Sequence, residues 1–142
     1  MSKKPKTLTV DLKRVINGPP AQVFAAWMDP KRPGGPWNHG KTVSLDAKVG
    51  KPFYILMQQG VPHFGRILKL AKAKQLQHTW MSPYTRGQET TVTIDFKKHP
   101  EGTLMTLKHA GLSNDDYGRA HIDGWGYFLG AMEKRFKGPA RG

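Results

Sequence analysis

Six histidines carry most of the chemistry this chain could do: His39, His63, His78, His99, His109 and His121. An imidazole near neutrality can bind a metal, orient a ligand or exchange a proton without help from a longer motif. Metal binding is disfavoured by spacing, because no two lie at the i, i+2 or i, i+4 separation by which one element offers two ligands, and no cysteine is present. The sequence thus predicts no metal and no cofactor. Its carboxylates Asp115, Asp116 and Asp123 are explained by helix capping and a polar helix face. A nucleophile elbow, a P-loop and a dinucleotide fingerprint are absent. Two histidines stand out. In "QLQHTW" the alternation puts Leu76, His78 and Trp80 on one face, and in "TLMTLKHA" it does the same for Met105, Leu107 and His109. If those faces turn inward, each imidazole must bond a neighbour or meet a ligand. His78 and His109 are therefore the candidates for a ligand-orienting or acid/base role.

The elements that position them follow from periodicity. "TLTVDLKRVI" (7–16) alternates as a half-buried strand, and "NGPPAQVFAAWMDP" supplies a turn, a proline-led helix start and a stop. "KRPGGPWNHGK" is a loop able to hold one short helical turn. Strands are predicted at about 43–47, 52–58, 63–71, 75–81, 90–98 and 103–109, joined by short turns as an antiparallel meander. A long helix is predicted from Ser113 to about Lys137, closed by Gly138-Pro139, with Ile122, Trp125, Leu129, Met132 and Phe136 on one stripe. Gly118, Gly124, Gly126 and Gly130 interrupt it. Each interior glycine costs roughly 1 kcal/mol relative to alanine, so burial against something broad must hold the helix. A curved sheet wrapping it would do so, with the small residues admitting backbone or leaving space. The order predicts an α+β fold with helices on one side of the sheet.

The 142 residues suit one domain over 1–142, with a core at about 8–136 and basic tails containing Lys3, Lys4, Lys6 and Arg141. The absence of cysteine, of a signal-like apolar run and of a membrane-length segment predicts a cytoplasmic protein. The formal net charge of +13 would attract polyanions weakly, but the basic residues are scattered without the aromatic clustering of a nucleic-acid reader.

"VINGPPAQVFAAWMDP" resembles the opening of the SRPBCC, or START-like, superfamily, and more narrowly the group named after the C-terminal domain of the heat-shock protein 90 ATPase activator. "DAKVGKPFYI", "HFGRILKLAKAKQLQHTWM", "TTVTIDFKKHPEGTLMTLKHAGL" and "DGWGYFLGAMEKRF" agree in order. The family's acidic residue followed by LxxWW is here "KRPGGPWNHG", a loop around Trp37 that the resemblance places near a cavity entrance; its double glycine is here Gly50-Lys51. The resemblance implies the helix-grip fold, about seven antiparallel strands curved around the C-terminal helix, and a space between them for an apolar ligand such as a lipid or polyketide. The expected contacts are Met57, Phe64, Trp80, Met105, Leu107, Ile122, Trp125 and Leu129, with His78, His109 or Tyr84 fixing polar ends. A cyclase or hydratase using His78 or His109, and a chaperone adaptor or polyanion binder, are the alternatives.

Overall fold

The computed structural model describes residues 7–32 and 34–137; the tail lysines, Arg141 and Gly138-Pro139 lie outside them. Seven strands form one antiparallel sheet: β1 (Thr7–Ile16), β2 (Gly40–Leu45), β3 (Pro52–Met57), β4 (Pro62–Ala71), β5 (Gln75–Trp80), β6 (Thr90–His99) and β7 (Gly102–Ser113). Their spatial order is β1-β7-β6-β5-β4-β3-β2, so the six later strands are a meander and β1 closes its end on β7. The short helix α1 (Pro20–Met28) follows β1, and the long α2 (Asp116–Arg135) is gripped by the curved sheet. This is the α+β helix-grip fold.

Several boundaries move for local reasons. β2 starts at Gly40, three residues ahead of expectation, because Gly40 and Thr42 already pair with Met57 and Leu56. β7 continues past His109 because Gly111, at φ +89°, takes up a register shift and lets Leu112 turn inward beside Leu8. Ser113 therefore finishes a strand, paired with Thr7, instead of starting the helix. The N-cap is Asp115, whose carboxylate accepts the Gly118 N–H at 3.0 Å. That bond, followed by the Arg86 guanidinium, holds the Asp115 carboxyl down at about 2. The loop "KRPGGPWNHGK" contains one 3-10 turn, Pro36–Asn38.

The four helix glycines divide. A Cβ on Gly118 would lie 1.8 Å from the Ser113 carbonyl oxygen, so that turn of α2 needs the missing side chain to sit against the end of β7. At Gly124, Gly126 and Gly130 an added Cβ meets nothing within 4 Å. These three leave open space along the helix. The buried stripe is Gly118, His121, Trp125, Phe128, Leu129 and Met132; Ile122 lies beyond its edge and is 41% exposed, a correction to its expected inward position.

Inside the grip the packing is closed. Trp27 stacks on Trp125 with ring centroids 6.2 Å apart, Phe24 meets Phe96 edge-on at 5.1 Å, and Met105, Leu107, Leu129 and Met132 have no exposed surface. Each large apolar side chain so buried contributes roughly 1.5–3 kcal/mol, which offsets the propensity lost to the helix glycines.

Candidate functional site

The open space lies at one mouth of the grip, not at its centre. A cleft of about 590 Å³ is bounded by the first half of α2, the β3–β4 hairpin, the ends of β4 and β5 and the loop before β2. Its hairpin wall is a tight turn in which Met57 and Val61 bond through N–H and carbonyl at 3.0 Å and Gly60 takes φ +87°. Trp80, Trp125 and Phe128 form the apolar back, Tyr84 and Tyr127 the exposed rim, and Gly124 opens the helix side.

Three histidines border the cleft: His39, His63 and His121. In each, Nδ1 faces a backbone carbonyl: Gly35 at 3.0 Å for His39, Val61 at 3.2 Å for His63, and Tyr117 and Gly118 at 3.1 Å for His121. Carbonyl oxygens only accept, so Nδ1 carries a proton in all three rings. Burial pushes the His63 imidazole down to about 4, with the His121 charge adding to it against the Val61 bond, and burial likewise lowers His121. At neutral pH those two rings are hydrogen-bond acceptors in an aromatic surround.

His109 has a different task. Thr90 Oγ1 donates its one proton to the Trp80 carbonyl, so it accepts from His109 Nε2–H at 2.6 Å; Trp125 Nε1–H donates to His109 Nδ1 at 2.9 Å. Both ring nitrogens are thereby engaged, and a second proton would set two N–H donors against each other at Trp125. Burial first, then the charges of His121 and His78, lower its pKa to about 2. This imidazole ties Trp80 to Trp125, two walls of the cleft. His78, with no exposed surface, donates Nδ1–H to the Thr79 carbonyl at 2.8 Å, and burial lowers it to about 4. Its Nε2 has no hydrogen-bond partner among the described residues and packs among Trp37, Phe53 and Trp80.

Of the contacts expected from the sequence, Met57, Trp80, Tyr84 and Trp125 border the cleft. His78, Met105, Leu107, His109 and Leu129 are sealed in the core. Phe64 is 43% exposed and packs on Tyr54, because β4 turns it to the face opposite His63. Ile122 points away from the grip. The expectation had not included His39, His63, His121, Tyr127 and Phe128. Two had a readable signal: His121 sits one helical turn before Trp125, and His63 pairs across the sheet with the buried Ile55. Among the described residues no three of His, Asp and Glu lie close enough together to hold a metal ion, and no helix is long and apolar enough to cross a membrane.

Residues 17–137 match the family described as activator of Hsp90 ATPase homolog 1-like protein. No curated protein matches the chain. Among solved structures the chain is similar to protein MLL2253 from Mesorhizobium loti, at 21% identity over 89% of this chain and 95% of that one, with a TM-score of 0.71. It is also similar to the Aha1 dimer from Colwellia psychrerythraea, at 14% identity over 91% and 96%, TM-score 0.72. A third is DynU16, from the dynemicin biosynthetic locus, at 17% identity over 92% of this chain and 47% of that chain, TM-score 0.73. At such identities the likeness is one of fold.

Proposed function

The chain belongs to the activator of Hsp90 ATPase homolog 1-like family, and from that premise we propose that it binds a small hydrophobic molecule, lipid- or polyketide-like in character, in the cleft at the mouth of the grip. The observation that carries this reading is the contrast between a closed core and a cleft of about 590 Å³ walled by Trp80, Trp125 and Phe128. That volume is within the range of roughly 300–1,000 Å³ usual for small-ligand sites, and mostly apolar walls with a few placed polar atoms are their usual lining. The cleft's buried polar side chains are His63 and His121, and Gln58, Gln59, Tyr84 and Asp123 line it as well. As neutral acceptors the two imidazoles favour a ligand that offers a hydroxyl or N–H donor; they stand in place of the His78 and His109 expected from the sequence, while Tyr84 stays at the rim.

Acid/base catalysis by His109 has no support in this geometry, because both its nitrogens are committed to protein partners. His78 is sealed behind Trp80 and Phe53. Polyanion binding rests on overall charge alone.

A panel of hydrophobic ligands carrying one donor group should raise the melting temperature, by an amount that grows with ligand concentration. Gly124→Leu should abolish the rise, since an added side chain there enters the cleft without touching the core; Gly126→Ala should retain it. A flat panel with the wild-type protein overturns the proposal.

A further inference from the structure

The charge of the cleft runs against that of the chain. Lysine and arginine number 23 against 10 aspartates and glutamates, yet among the described residues no lysine or arginine lines the cleft, where the carboxylate is that of Asp123. Gln58, Gln59, Tyr84 and Tyr127, which share the lining, offer neutral polar groups. Asp123 also stands apart on α2. Asp115, Asp116 and Glu133 are each held by an arginine: Arg86 at 2.8 Å, Arg119 at 2.7 Å and Arg14 at 3.6 Å. Arg119, one turn before Asp123, is the base spaced to pair with it and is turned to Asp116 instead. Asp123 is exposed and has no ion-pair partner among the described residues. The helix dipole does not account for it, since an acid is favoured in the first turn and Asp123 lies about two turns into α2.

We propose that the ligand is a cationic amphiphile: its apolar part lies against Trp80, Trp125 and Phe128, and its protonated nitrogen sits at the rim against the Asp123 carboxylate. This rests on the cleft being the binding site and adds the class of ligand. The cation belongs at the rim because the interior disfavours positive charge, as the burial that keeps His63 and His121 neutral shows. Tyr84 and Tyr127 place aromatic rings on the same exposed edge, and a cation is attracted to such rings. An ammonium presents N–H donors, the kind of group that the acceptors of this cleft call for. An anionic head meets no base there.

Titration of tryptophan fluorescence with decylamine, 1-decanol and decanoate, all below aggregation, tests it, because Trp80 and Trp125 border the cleft. Decylamine, protonated at neutral pH, should bind about fivefold more tightly than 1-decanol, and decanoate least tightly of the three. The overall charge of the chain predicts the reverse order, so the ranking itself discriminates. Asp123→Asn should bring decylamine to near parity with 1-decanol. Asp46→Asn, which removes an exposed carboxylate between β2 and β3 at the opposite end of the sheet, should leave the preference intact. Equal binding of decylamine and 1-decanol by the wild type, or tightest binding of decanoate, overturns the inference while leaving the cleft reading standing. So does a preference that survives in Asp123→Asn or falls equally in Asp46→Asn. If none of the three binds, both readings fail.

Discussion

A histidine's partners decide what it can do, and here they separate rings that look alike in sequence. His78 and His109 were legible as inward-facing from strict alternation on their strands, and both do face α2's side of the sheet. What alternation cannot report is whether the inward volume is empty. That depends on which side chains arrive from α1, α2 and the loop of Trp37, and Trp27, Trp37 and Trp125 fill it. The result is a set of buried neutral imidazoles with a pH signature. An unfolded imidazole takes its proton near pH 6.5, whereas His63 and His78 resist to about 4 and His109 to about 2. Between those values the unfolded chain binds more protons, so stability is complete above about pH 6.5 and is lost as pH falls below it. Each such ring contributes up to about 1.4 kcal/mol per pH unit in that window. The carboxylates enter only later, since the Asp115 contribution begins to fall near 3.8. Urea midpoints at about pH 7 and about pH 5 should differ substantially, the lower pH being less stable; equal midpoints would contradict the buried neutral histidines.

At the scale of elements, the long helix shows how one residue type serves two purposes. The sequence made the presence of α2 and most of its buried stripe readable from a 3.6-residue period, and it flagged four glycines as anomalous. It did not distinguish them, because the reason lies in what each Cβ would meet. Gly118 abuts the Ser113 carbonyl, a contact created by β7 continuing to Ser113 through the Gly111 bulge. The others face open space. Gly118→Ala should therefore destabilise the fold by several kcal/mol, through backbone displacement at the helix start. Gly126→Ala should stabilise by up to about 1 kcal/mol, because it adds helix propensity at no steric cost. Chemical denaturation of the two variants checks both signs, and similar effects from both would mean that the glycines are not differentiated as described.

For the whole molecule, the fold class and the meander were readable because most strands carry their own alternation and most turns a Gly or Pro, the β4–β5 turn instead using Ala73 at φ +64°; the grip came from the family resemblance, and the pairing of β1 with β7 was not among the expectations. The cleft was not readable, because it is made where four separate segments fail to meet: the β3–β4 hairpin, the end of β5, the loop at His39 and the open side of α2. No single stretch of sequence encodes an absence of contact. The central claim is that a ligand enters this mouth and leaves the core intact. The four indole N–H resonances of the protein report on it directly, since Trp80 and Trp125 border the cleft while Trp37 is fully buried against Phe53 and His78. On titration with 1-decanol, followed by nitrogen–proton correlation spectra, the Trp80 and Trp125 signals should move in a saturable way and the Trp37 signal should hold its position. Movement led by Trp37, or no movement at any of the four, would contradict the account.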